Sequence, residues 1–280
     1  MNNTFDIRRF GLVIRKDLIE NGKRFMLLFL TMLGLIALAI TFTTLNYYNG
    51  RNSDDYLLLN RDLLILLSLM FFGFGIWFAS TFSTPMNSKL KRLSYLVSPS
   101  SNLEKFLTRW ILTTIGFLLA FFATIWLADI LRVAICSVAY SEIDFHFIDI
   151  TKLVSPNENA NYREYLVPKE VFTIVLSIYF LLQSIFLLGS TFWEKASFIK
   201  TFTAVAAIIT AFLLICRWAI LLFYGDLDGY SNVFSSFELN ETYTEMQATI
   251  FATIVISAFT ITFWVLAFFR LKESEIIKRL

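Results

Sequence analysis

Cysteine, histidine and charge are all scarce in this chain, and each shortage removes a class of function. Only Cys136 and Cys216 are present, too few for a disulfide framework or a zinc-ligand set. His146 is the single histidine. No H-E-x-x-H pair exists, and no histidine stands in an apolar run to act as base for an intramembrane serine protease. No G-x-x-x-x-G-K-[ST] occurs either; Gly22-Lys23-Arg24 comes nearest and lacks both the upstream glycine and the hydroxyl. This sequence therefore has no P-loop with which to hydrolyse ATP. Charged residues make up 16% of the 280, against 57% apolar, whereas a soluble domain is about a quarter charged. One core could not bury so much apolar surface, and membrane integration accommodates it. The opening MNNTFDIRRFGLVIRKDL lacks the short apolar core and small-residue cleavage site of a secretory signal, so the first span is expected to remain as an anchor.

A helix needs roughly 20 apolar residues to cross the hydrocarbon core. Six proline-free runs reach that length: 25–47, 63–83, 106–131, 171–193, 198–224 and 248–269. The expected fold is an all-α integral membrane protein, a single transmembrane domain over 1–280. The fourth and fifth spans are joined only by Glu194 to Ser197, which predicts a tight antiparallel hairpin. Gly73 and Gly75 fall mid-span, where small residues let helices approach closely.

Bases set the orientation. Of the 24 Lys and Arg, 17 fall before the first span, between the second and third, in the Lys195–Lys200 turn, or after the last span. The opposite side keeps 7 and is acidic. By the positive-inside rule both termini are cytoplasmic, and 133–170 and 225–247 are extracytoplasmic loops. Before the first span, over 1–24, Ile7, Phe10, Ile14 and Leu18 recur at helical spacing while Arg8, Arg9, Arg15 and Lys16 point elsewhere. That pattern predicts an amphipathic helix lying in the membrane interface, its bases near anionic lipid.

The cytoplasmic stretch 84–105 is far longer than a connection requires. Thr84 suits an N-cap with Pro85 at the first helical position. Lys89, Lys91 and Arg92 follow as bases, and Leu90, Leu93, Tyr95 and Leu96 as an apolar face. Ser98-Pro99 stops this helix, and Ser101 with Glu104 spells an S-x-x-E capping box opening the next. A solvated helix against headgroups and a docking element for a partner are both compatible with it.

Leu96, Pro99, Ser101, Glu104, Lys105 and Phe106 fit the pattern L-x-x-P-x-S-x-x-E-K-F. With the six spans and the helical loop, the chain resembles the permease subunits of bacterial type-2 class ABC exporters. That resemblance implies a coupling helix over Pro85 to Val97, which docks in a groove of a separate ATPase subunit. The coupling residues would be Lys89, Leu90, Lys91, Arg92, Leu93, Tyr95, Leu96, Pro99 and Glu104. It also implies a bacterial inner-membrane location and a second permease copy, as homodimer or heterodimer. ATP and Mg would be bound by the partner, with no cofactor in this chain and no nucleic acid. Export is the activity the resemblance implies, and spans rich in Phe, Leu, Ile, Ala and Thr suit an amphipathic, lipid-like or peptide-like substrate better than a small ion. A non-transporting scaffold or assembly subunit is the alternative, with an ATP-independent secondary carrier behind it. One departure stands out: 225–246 is polar where such permeases often carry apolar re-entrant helices.

Few ionisable groups fall in the spans. Asp129 and Arg132 share a face near the outer end of the third, as a boundary salt bridge or part of an outer vestibule. Arg217 lies about two turns inside the outer end of the fifth, snorkelling or paired with Asp129 or Asp226. Gln183, midway along the fourth, suits an interhelical hydrogen bond or a substrate contact.

Overall fold

Every apolar run forms helix because, in lipid, the backbone must satisfy its own donors and acceptors. A computed structural model describes residues 5–50, 56–84, 100–140, 145–154, 169–193, 195–224 and 245–277. Its six long helices are α1 (Ile7–Gly50), α2 (Tyr56–Ala79), α3 (Asn102–Ala139), α4 (Lys169–Phe192), α5 (Ser197–Tyr224) and α6 (Glu245–Ile277). All six are long and apolar enough to cross a membrane, as the six runs require. The tight turn is also found, since α4 ends at Phe192 and α5 starts at Ser197. The segment Lys89, Leu90, Lys91, Arg92, Leu93, Tyr95, Leu96 and Pro99 lies outside the described residues.

Several boundaries differ from expectation: α3 continues to Ala139 rather than 131, into the expected loop, and α6 to Ile277 rather than 269. α2 begins at Tyr56 and stops at Ala79, because hydroxyls then turn back on the chain. Ser80 Oγ donates to the Trp77 carbonyl at 2.6 Å and Thr81 Oγ1 to that of Phe78 at 2.7 Å. Such bonds compete with helix propagation, and residues 80–84 form tight turns. At the N-terminus, among the described residues, the expected entry helix and the first span are one continuous helix. α1 runs unbroken for 44 residues, about 66 Å at 1.5 Å per residue, so it projects well beyond a 30 Å hydrocarbon layer.

The inward face of that projection also differs from the expected apolar stripe. Phe10 and Ile14 are half-buried, but Ile7 is 75% exposed and Leu18 is exposed too. Arg9, Val13, Asp17 and Asn21 are half-buried beside them at four-residue spacing. Ion pairs with α3, described below, draw this polar stripe inward.

α1 and α3 run parallel, touching in order at Asp6 and Glu104, Asp17 and Arg109, and Asn49 and Tyr140. α4 and α6 form a second parallel pair through Gln183, Phe186 and Leu187 against Trp264, Ala267 and Leu271. α2 sits between the pairs, and α5 packs on α4. α5 exposes Ile208, Phe212, Ile215 and Trp218, the composition of a lipid-facing helix. Of the two mid-span glycines of α2, Gly75 is the one closely approached: a Cβ there would meet Tyr179 Cε2 at 2.5 Å, while one at Gly73 would meet nothing within 4 Å.

The end carrying the start of α1 and the close of α6 is the basal end; the other is distal. Phe106 lies at the basal end between Phe82 and Phe268, with ring centroids 5.5 Å from each.

Candidate functional site

The basal junction is built around one carboxylate. Ser101 caps α3: its hydroxyl accepts from the Glu104 amide at 3.3 Å, and Glu104 Oε2 accepts from the Ser101 amide at 3.0 Å. The S-x-x-E pattern thus forms the capping box it spells. Glu104 Oε1 then reaches a second helix, accepting from the Asp6 amide at 2.9 Å and from Arg9 Nη2 at 2.8 Å. Asp6 in turn caps α1, its Oδ1 accepting from the Arg8 amide at 2.9 Å. Glu104 is fully buried, and every donor around it addresses an ionised carboxylate. Two helix N-termini, each carrying partial positive charge, converge there.

One helical turn further along, the polarity reverses. Arg109 of α3 donates to Asp17 Oδ1 of α1 at 2.6 Å, and Asn21 Nδ2 donates to the same oxygen at 2.9 Å. Both partners of this pair are largely buried. With Phe106 wedged between Phe82 and Phe268, the start of α3 ties α1, the close of α2 and α6 into one unit.

Above this junction α3 departs from α-geometry. Leu112–Gly116 form a π-helical turn, a feature that recurs at functional sites. It presents Thr114 to the interior, where Thr114 Oγ1 accepts from Gln183 Nε2 at 2.8 Å. Trp264 Nε1 donates to Gln183 Oε1 at 3.3 Å. Gln183 is fully buried, and it bridges α3, α4 and α6 as an interhelical hydrogen-bonding group. Four residues before it on α4, the Tyr179 hydroxyl is buried with no partner among the described residues.

No protein-family model, no curated protein and no solved structure matches the chain. The geometry carries the reading alone.

At the distal end Asp129 and Arg132 do form a salt bridge. Arg132 Nε donates to Asp129 Oδ1 at 2.7 Å, and both residues are buried. They also grip the following loop, since Arg132 Nη2 donates to the His146 carbonyl and the Ile148 amide to Asp129 Oδ2, each at 2.7 Å. Asn60 accepts from the Asp149 amide at 3.0 Å, and the Tyr56 hydroxyl donates to the Phe147 carbonyl at 2.7 Å. These residues fasten backbone. Arg217 does not join them: it is exposed on α5, and both Asp129 oxygens are engaged by Arg132 and Ile148. Asp226 lies outside the described residues.

Sequence reasoning singled out Glu104, Gln183, Asp129 and Arg132 but missed Arg9, Asp17, Thr114, Trp264 and Asn60. One signal was available for Asp17. It is the only acid on the four-residue stripe from Arg9 to Asn21, and a buried stripe containing an acid requires a base opposite.

Proposed function

We propose that the chain is the permease subunit of a bacterial type-2 class ABC exporter, held in the inner membrane with both termini cytoplasmic. On this reading it works as a homodimer or heterodimer with separate ATPase subunits, which bind ATP and Mg, and exports an amphipathic substrate. The basal end then faces the cytosol, and the basic segment from Lys89 to Leu96 receives the ATPase.

The observation that carries the reading is the Glu104 junction. Glu104 lies five residues after Pro99, so any displacement of the preceding loop arrives directly at a buried carboxylate. That carboxylate is bonded to the start of α1 and the start of α3. Packed interiors are bistable rather than continuously deformable, so a push there moves helices rather than dissipating in side chains. The π-helical turn eleven residues downstream of Ser101 supplies a place where α3 can change register.

Copurification from the native host is the first test. A nucleotide-binding protein is expected with the chain, and its absence removes the exporter assignment. The second test reverses the charge of Lys89, Lys91 and Arg92 together. ATPase association should be lost while the chain still inserts and folds; full association would exclude the loop as the docking element.

One observation favours a second reading, a non-transporting scaffold or assembly subunit. Gln183, Asp129 and Arg132 are all engaged with other groups of the same chain. Cargo-stimulated ATPase activity in the reconstituted complex separates the readings, since a scaffold has no cargo to sense.

A further inference from the structure

Two cavities meet at Trp77. The first, about 170 Å³, is an apolar crevice between α1, α2 and α3, with Phe25, Phe29, Met32, Phe74 and Ala120 on its walls. The second, about 300 Å³, is polar and lies at the basal end, lined by Arg24, Ser80, Thr84 and Ser197 among others. Trp77 lines both, and Arg24 and Phe25, adjacent in sequence, line one each.

Among the described residues, none that lines the polar cavity is an anion. Arg24 is half-buried and makes no ion pair or hydrogen bond with any described residue. A second guanidinium, Arg109, lies close enough to act on it electrostatically. The Asp17 carboxylate does not line this cavity; its Oδ1 accepts from Arg109 and Asn21. The Ser197 hydroxyl is enclosed and has no partner among the described residues. Ser197 opens a helix of 28 residues, so amides of the first turn carry partial positive charge on the same side. A cation, an idle hydroxyl and free amides around one space make a receptor for a phosphate.

The apolar crevice determines what bears that phosphate. From Phe25 to Met32 it follows α1 for seven residues, roughly 10 Å into the hydrocarbon layer at 1.5 Å each. A free phosphate ion has nothing to place there, whereas an acyl chain does. We propose that these two cavities form a site for one anionic phospholipid of the basal leaflet. Its phosphate lies against Arg24 and Ser197, and one acyl chain lies in the crevice beneath Trp77. This site does not depend on the exporter reading; it requires only that the six helices lie in a bilayer.

The test uses the full chain, purified in a neutral detergent and stripped of lipid, with bound lipid counted by native mass spectrometry. Phosphatidylglycerol, phosphatidylcholine and inorganic phosphate are the probes. The expected result is one tightly held phosphatidylglycerol per chain, with weaker phosphatidylcholine and no comparable inorganic phosphate. Arg24→Gln should weaken phosphatidylglycerol about fivefold or more, the effect of one base at a membrane surface, and Arg24→Lys should retain most of it. Ala120→Phe, which fills the crevice without touching charge, should weaken both lipids. Lys272→Gln removes an exposed base at the same end and should change nothing. Equal retention of both lipids, or inorganic phosphate as tight as lipid, overturns the proposal. So does an Arg24→Gln effect matched by Lys272→Gln, which would reduce the binding to general surface charge.

Discussion

Glu104 and Arg9 meet at 2.8 Å across two helices that start at the same end of the bundle, and the two are unequally buried. Arg9 keeps a third of its side chain exposed while Glu104 has none. The carboxylate therefore matters more to the fold than the guanidinium does. Glu104→Ala takes the acceptor from the Asp6 and Ser101 amides and from Arg9 at once, and each buried donor left unsatisfied costs about 1–3 kcal/mol. Arg9→Ala should cost about 1 kcal/mol, as solvent screens its end of the pair. Unfolding in detergent with both variants checks the ranking, and equal losses would remove Glu104 as the anchor of the junction.

The Ala196 backbone predicts a gain. Its φ of 52° is left-handed, a conformation costing a non-glycine residue roughly 1–2 kcal/mol. It is the last residue before α5, and its carbonyl accepts the Lys200 amide at 3.1 Å. Ala196→Gly should stabilise the chain by about 0.5–1 kcal/mol once the extra freedom of the unfolded glycine is offset. Ala196→Val should destabilise it. The sign of the two thermal shifts is the readout, and a lower midpoint for the glycine variant contradicts the strain argument.

Gly75 and Tyr179 make a coupled pair. A methyl at Gly75 has to displace the Tyr179 ring, so Gly75→Ala should lose about 1–3 kcal/mol by overpacking. The same methyl at Gly73 meets nothing and should be neutral. Tyr179→Phe should be neutral or stabilising, because it deletes a buried hydroxyl that has no partner among the described residues. A large loss in Tyr179→Phe would show that the hydroxyl is bonded after all.

What could be read from the sequence follows from which forces are local. Lipid imposes helix on any long apolar run, so six helices were legible from hydropathy alone. The Ser101 and Glu104 box was legible because a cap is satisfied within four residues. Chain orientation at the tight turn was legible from its length. Contacts between distant segments were not. Arg9 reads as one more base on a polar face until Glu104 is placed opposite it, 95 residues away. The inward face of α1 is turned from the expected one toward Arg9, Asp17 and Asn21 for the same reason: periodicity locates a face but does not say what it meets. The π-helical turn left no mark in Leu112–Gly116, and the partner of Thr114 within it, Gln183, lies 69 residues away.

Gln183 tests whether the interior polar cluster is structural. Gln183→Leu leaves Thr114 Oγ1 and Trp264 Nε1 without the bonds they now make. Interhelical hydrogen bonds in membranes average about 0.6 kcal/mol and reach about 1.7, so two of them set a loss of about 1–3 kcal/mol. Trp264 emission should shift as its indole loses its acceptor. If stability is untouched, the cluster does not hold α3, α4 and α6 together.

Asp129 holds the distal loop by backbone rather than by side chain, and that choice has a measurable consequence. Its two oxygens take the Arg132 guanidinium and the Ile148 amide, so Asp129→Ala removes both at once. Arg132, 2% exposed, is then a buried charge without its counterion, a loss of about 3–5 kcal/mol. Residues 145–154 also lose their strongest attachment to α3, though Tyr56 and Asn60 of α2 still grip Phe147 and Asp149. Amide exchange at Ile148 should therefore accelerate far more than at Asp149, whose amide bonds to Asn60 instead. Asn60→Ala should produce the opposite ranking. Uniform acceleration across the loop in both variants would mean that it detaches as one unit and that neither side chain fastens its own residue.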